Sequence, residues 1–327
     1  ILKNQQTISL SQIQPYDVVT YDSMSNTLLV SDLRLTCKYQ NPTPNPKAPT
    51  SITLLGHTFP VLESAWDFTD QVSAGQTVSL LLTVDGAVAG ILPANAQTRS
   101  TALGMVTSET TAEMFLPNGG TLELKGANSK MKYVNQLCTL ASTDAEVISA
   151  SRFSGDRATG DFDPAAMRVG DLVVAPSVRV FEQFKEGAQV SVTLSSLDFG
   201  VIPKNQIRAI HKNSSGVVDV IVMNNVTGDA YMYGMMVAKV ETTRTPITDD
   251  QGNVTGYEED TKTTWSLVNR TKFDFNELAG YIGPHKGFAG IVADSKKLII
   301  STLDLAEYQV TPADFFERDG RYYVTVK

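Results

Sequence analysis

The chain has 327 residues, with 42% apolar and 19% charged side chains and a formal net charge of −8. That length can bury the cores of two or three domains, and the composition is that of a folded chain rather than a disordered one. The 27 Lys and Arg are scattered among 35 Asp and Glu, which excludes a phosphate-tracking nucleic-acid surface, and no apolar run approaches the roughly 20 residues of a membrane-spanning helix.

The opening ILKNQQTISL is polar and strand-like rather than a signal peptide. It reads as a cut from a longer polypeptide, so any export signal or anchor is expected upstream. DVVTYD, NTLLVSD, RLTCKY, SITLLG, TVSLLLTV and AVAGIL follow, rich in Val, Leu, Thr and Tyr and bounded by Asn, Gly, Pro or Asp. Each predicts a short strand. QNPTPNPKAPT, between the third and fourth, predicts an extended surface excursion, because proline cannot donate to a sheet ladder. Asp85-Gly86 predicts a tight hairpin, since glycine accepts the positive φ such a turn demands.

In the middle third GTLELKG, MKYVNQL, EVISASR, DLVVAP, VRVFEQF and QVSVTL predict further strands. SGDRATGDFDPAAM interrupts them, and Asp163 before Pro164 predicts a capped single helical turn. ETTRTPITDDQGNVTGYEEDTKTTWSLV then reads as a long hairpin around an Asp-Gln-Gly-Asn turn with an acidic tip. FAGIVA and KKLIISTL predict strands, Thr311-Pro312 a short helix, and RYYVTV a last strand. No sustained 3.6-residue apolar period occurs, so helix is expected to be minor.

One segment is present twice. Gly86–Thr107 aligns without a gap on Gly216–Val237, with Gly86/Gly216, Val88/Val218, Ile91/Ile221, Asn95/Asn225, Gly104/Gly234 and Met105/Met235 identical. A strand–loop–strand unit used twice suits stacked β modules rather than an enzyme built around one cleft. The expected fold is mainly β: two or three small β-barrel- or β-sandwich-like modules in series, with long hairpins and few short helices. The boundaries fall at about 1–108, 109–198 and 199–327, the first and third modules each holding one copy.

The sequence carries no catalytic constellation. His57, His211 and His285 lie in different modules, without a Gly-x-Ser-x-Gly elbow, and read as structural or exposed. Asp156, Asp161 and Asp163 put three carboxylates near two glycines, and Asp249, Asp250 and Glu258-Glu259-Asp260 form a second acidic patch. Either could draw calcium, although solvated loops and a charged tip that discourages edge pairing are the simpler readings. Cys37 and Cys138 are expected to be buried free thiols. The alternative is a disulfide closing a loop of about a hundred residues, worth about 4–5 kcal/mol in chain entropy. Asn213, Asn225, Asn253 and Asn269 lie in chance Asn-x-Ser/Thr triplets. Trp66 and Trp265 are too few for a glycan platform, and Tyr231 and Tyr233 share one strand face, as core or cross-strand packing would place them. No catalytic, cofactor-binding or metal-binding residue is therefore assigned, and the expectation is a chain that is not an enzyme.

PYDVVTYDSMSNTLLVSD (Pro15–Asp32), APTSITLLGHTF (Ala48–Phe59), GQTVSLLLTVDGAVAGIL (Gly75–Leu92) and VTGDAYMYG (Val226–Gly234) are similar to segments of S-layer-homology cell-surface proteins of Gram-positive bacteria. In that family three anchoring domains bind a cell-wall polymer and a β-rich remainder projects outward. The chain resembles that projecting portion, without the anchoring domains. The resemblance implies an extracellular, wall-surface location and a structural or interaction role. It implies as partners other surface proteins, or cell-wall or host glycans, with no nucleic acid and no membrane insertion. A glycan- or protein-binding adhesin is the alternative reading.

Overall fold

The computed structural model describes residues 1–184, 187–197, 200–268, 272–275, 287–293, 299–306, 308–318 and 321–326. The chain is mainly β, in small and largely antiparallel sheets, none of them closed into a barrel among the described residues. It divides into two compact units, Ile1–Val226 and Thr227–Lys327.

In the first unit β1 (Leu2–Lys3), β2 (Gln6–Thr7), β3 (Val18–Asp22) and β4 (Thr27–Ser31) form a sheet in the order β2-β1-β4-β3. Next come β5 (Arg34–Lys38), then β6 (Pro42–Thr43), β7 (Ser51–Leu54) and β8 (His57–Pro60), which pair among themselves. β9 (Thr77–Leu82) lies between β5 and β10 (Val88–Pro93). A five-stranded sheet follows from β11 (Leu103–Val106), β12 (Thr111–Phe115), β13 (Thr121–Lys125), β14 (Gln136–Asp144) and β15 (Val147–Arg152), ordered β13-β12-β11-β14-β15. These last three sheets enclose one core that includes Leu35, Phe59, Leu80, Ile91, Met114, Leu124 and Leu140.

β16 (Phe162–Asp163), β17 (Arg168–Val169), β18 (Leu172–Gln183), β19 (Gln189–Val192), β20 (Ile207–Lys212) and β21 (Val218–Asn224) complete the unit around a second core of Phe162, Val174, Ile210 and Ile221. The opposite faces of β18 and β21 meet the five-stranded sheet, burying Leu103 and Leu137 against Phe181, Val220 and Val222. DLVVAP and VRVFEQF, read as two strands, are one: β18 runs through both, and its pairing with β21 skips between Val174 and Arg179. Pro176 sits in the skip, where its missing N–H costs no ladder bond.

Two further local expectations are corrected, and one element goes unannounced in the sequence. MKYVNQL is mostly loop, and β14 starts only at Gln136, after Asn135 takes a left-handed φ of 58°. Asp163 does accept a hydrogen bond from the Ala166 N–H at 2.9 Å, but it closes a turn between β16 and β17 rather than a helix. A nine-residue 3-10 helix spans Glu63–Gln71 with only Ala65 and Thr69 buried, too few for an apolar period to announce it. The proline-rich excursion is tied down on that helix: Trp66 Nε1 donates to the Pro49 carbonyl at 2.8 Å and Thr69 Oγ1 to that of Lys47 at 2.8 Å.

In the second unit β22 (Met232–Thr248), β23 (Val254–Val268), β24 (Lys272–Phe275), β25 (Gly287–Ala293) and β26 (Ile299–Asp304) form a sheet ordered β24-β23-β22-β25-β26. β27 (Phe315–Arg318) and β28 (Arg321–Val324) form a separate hairpin. The expected short helix is a 3-10 turn, Pro312–Asp314, capped by Thr311.

The two five-stranded sheets match strand for strand and in register. Leu103, Gly104 and Met105 face Thr139, Cys138 and Leu137; Tyr233, Gly234 and Met235 face Gly290, Ala289 and Phe288. Val106, Ala112, Cys138, Leu140 and Ile148 of the first core stand where Met236, Leu267, Ala289, Ile291 and Ile299 form the second. The hairpins that lead in also match. Ala87 N–H donates to Thr83 Oγ1 and Val217 N–H to Asn213 Oδ1, each beside a left-handed glycine, Gly86 or Gly216. They part at the connection between the first two strands: the first sheet turns over Thr107–Thr111, while the second runs out through Val237–Ser266 as an arm.

Candidate functional site

The polar centre of the first unit lies where its N-terminal sheet meets the β20–β21 hairpin. Asn4 and Gln5 both take left-handed φ, 49° and 63°, and so fold β2 back beside β1. That places Lys3, with no solvent exposure, inward, where Nζ donates to Asp17 Oδ2 at 2.8 Å, lies 3.3 Å from Asp32 Oδ2 and reaches Ser214 Oγ. The Ser214 N–H donates to Asp32 Oδ2 at 2.7 Å and its hydroxyl to Asp17 Oδ1 at 3.1 Å.

A second pair continues the network. His211 Nδ1 and Asp219 Oδ1 are 2.6 Å apart, and Asn4 Nδ2 donates to Asp219 Oδ2 at 3.3 Å. Ser177 and Ser215 add hydrogen bonds to the carbonyls of Asn4 and Gln12. A hairpin more than 200 residues downstream in sequence is thereby fastened to the start of the chain.

The protonation preferences follow from these contacts. Burial by itself would raise the Asp32 carboxyl, but the Lys3 charge and the Ser214 hydrogen bonds outweigh it and hold its pKa below the usual value. Burial would lower His211, but its hydrogen bond and charge interaction with Asp219, with help from Asp32 and Asp156, hold its pKa above the ordinary value. Asp219 is pushed up by burial, with His211 opposing.

A cleft of about 240 Å³ opens beside the network, its wall including Asp32, Arg34, Phe115, Arg179, His211 and Asp219. Its cations are engaged. Arg34 donates to the Asp32 and Gln97 carbonyls; Arg179 donates to those of Gly119 and Gly120 and lies 4.3 Å over the Phe115 ring. Ser214 Oγ is bonded to Lys3 and Asp17 while His211 is bonded to Asp219, and no hydrogen bond among the described residues links that serine to that histidine. The arrangement clamps two parts of the chain together electrostatically.

Of the residues singled out in the sequence, His211 and Asn213 line this cleft and the others do not. His57 packs edge-on against Phe59 at 4.7 Å, and His285 and Asn269 lie outside the described residues. Asp156 pairs with Lys212 at 2.9 Å, Asp161 accepts from the Lys204 N–H at 2.7 Å, and Asp163 holds its own turn. On the arm, Asp249 accepts the Asn253 N–H at 2.8 Å and Glu259 pairs with Arg244 at 2.7 Å. Glu258 and Asp260 face Thr245 and Thr243, so like charges do not oppose across the strands. Among the described residues no group of three or more His, Cys, Asp or Glu is placed to hold a metal ion.

Cys37 and Cys138 are both buried and free, and burial pushes their thiols up to about 12 and about 11. Tyr231 and Tyr233 lie 6.0 Å apart beside Gly290; Tyr233 faces Gly290 across the ladder, whereas Tyr231 precedes β22 and so does not share the strand as expected. Trp265 belongs to β23. Asn213 spends its side-chain oxygen on the turn and is buried, so its triplet is no accessible glycan acceptor.

Sequence reasoning missed the Lys3 network. The one available signal was that Lys3 is the sole charged residue in ILKNQQTISL, which says nothing about its partners. Compared with family models, with curated proteins and with solved structures, the chain matches none of them.

Proposed function

We propose that the chain is a non-enzymatic structural and interaction region of an extracellular, wall-attached surface protein of the S-layer-homology kind. The observation that carries this reading is the arm. β25 pairs β22 only over Met232–Met236, and β24 pairs β23 only over Trp265–Val268. Beyond them the two strands continue as a ribbon to which no third strand pairs among the described residues, roughly 40 Å long at about 3.3 Å per residue. Residues Glu241–Thr255 are all exposed.

A lone ribbon is barely stable by itself and offers open edges. Its Thr-rich, charged sequence with Pro246 limits indiscriminate pairing while leaving it free to reach a neighbour. The clamp around Lys3 supports the spacer half of the reading, since it ties sequence-distant strands into one firm body. The four resembling stretches support the location. Antibodies against the Glu241–Thr255 segment are expected to label intact cells that make the protein, with the protein fractionating with the wall; recovery from the cell interior alone overturns the proposal.

The adhesin alternative has one observation in its favour, the cleft beside Arg179 and His211, which mixes charged side chains with the Phe115 ring. Glycan-array binding lost in Arg179→Ala supports it, and an array without signal removes it.

A further inference from the structure

The two matched sheets differ in what covers the face away from the core. In the first, Glu113, Met105 and Leu137 form a row across three strands, and Leu103, Thr139 and Ser151 form the next. A second β layer covers the middle of this face: Leu103 and Leu137 are buried against Phe181, Val220 and Val222, and Phe115 stacks on Phe181 at 5.8 Å, while Glu113 and Ser151 at the edges stay exposed.

In the second sheet the same rows are Val268, Met235 and Phe288, then Tyr233, Gly290 and Leu303. Here Tyr233, Met235, Val268, Phe288 and Leu303 are 40–51% exposed. The open face is also the more apolar of the two, with Val268 at the place of Glu113 and Leu303 at that of Ser151. Apolar residues in adjacent rows form a continuous patch, and patches of this kind mark interaction sites.

We propose that this face is a homodimer interface, binding the same face of a second copy of the chain, sheet against sheet. Three points select that occupant. The first sheet shows that the face is shaped to receive a β layer. Where the two rows cross β23, β22, β25 and β26 they contain no charged residue, the one charge being Lys272 at the β24 edge opposite Val268, so a two-fold pairing centred on Met235 and Phe288 brings no like charges together. With neighbouring Val237 the patch offers apolar surface that, doubled, is on the order of 1,000 Å², the lower edge of what specific interfaces bury. The inference does not depend on where the protein resides.

Sedimentation equilibrium of the full chain across the micromolar range tests it. The expected result is a concentration-dependent monomer–dimer equilibrium. Phe288→Asp and, separately, Met235→Lys are expected to weaken it by about 100-fold or more, because each buries an unpaired charge. Both side chains are half exposed, so the variants should retain the parent circular dichroism spectrum, and Tyr257→Asp on the arm should dimerise like the parent. A monomer at every concentration overturns the proposal, and so does a dimer that survives both face substitutions.

Discussion

Gly104 and Gly234 stand at the same point of two sheets, each on the central strand where the neighbouring backbone comes too close for a side chain. A Cβ on Gly104 would overlap the Glu113 carbonyl and meet Leu140 Cδ1 at 2.5 Å; one on Gly234 would lie 2.7 Å from the Val268 carbonyl. Neither has a left-handed φ, so steric closeness and not backbone freedom demands glycine at both.

Gly104→Ala is accordingly expected to destabilise the first unit by about 1–3 kcal/mol, and Gly234→Ala the second by a similar or smaller amount. Urea unfolding with separate probes for the two units checks this. Unchanged midpoints for both would refute the close approach.

Lys3 offers a larger effect. Lys3→Met removes the cation from beside Asp17 and Asp32 and leaves two carboxylates without their partner, which should cost about 3–5 kcal/mol. The combination Lys3→Met with Asp17→Asn should recover part of that loss, because one stranded charge goes with it. A double variant no better than the single would mean the cluster acts by packing alone.

The pH dependence has two limbs of opposite sign. His211 has a raised folded pKa, so its contribution is complete below about 6.5, its unfolded value, and is lost as pH rises through the folded value. Asp219, also raised, acts in the same sense at lower pH. Asp32 has a lowered folded pKa, so its contribution is complete above about 3.9, its unfolded value, and is lost as pH falls through the folded one. Melting temperature against pH should therefore decline on the alkaline side of about 6.5, and His211→Gln should flatten that decline while leaving the acid limb in place.

Both thiols should be silent in the folded chain. With Cys37 at about 12 and Cys138 at about 11, and both buried, Ellman's reagent at pH 8 is expected to titrate neither until denaturant is added, and then both. Reducing agent should leave the melting temperature unchanged. A shift on reduction would show a disulfide.

Short-range chemistry made much of the architecture legible. Alternating Val, Leu and Thr between turn residues located β3, β4, β5, β7, β9 and β10, and Asp85-Gly86 located a hairpin, because strand pleat and turn φ are properties of a few adjacent residues. The double occurrence of one segment placed Gly104 and Gly234 at corresponding points before any coordinates. MKYVNQL misled because its apolar residues precede a left-handed Asn135, and Glu63–Gln71 escaped notice because so little of it is buried.

Composition and local pattern settled that this is a β chain with a long hairpin; tertiary structure alone decided that Lys3 meets Asp17, Asp32 and Ser214. It alone decided, too, that one sheet face is covered and its counterpart open. Periodicity records which side of a strand is apolar, whereas a buried ion pair or a covered face depends on segments that come together only when the chain closes loops, from 14 residues between Lys3 and Asp17 to 211 between Lys3 and Ser214.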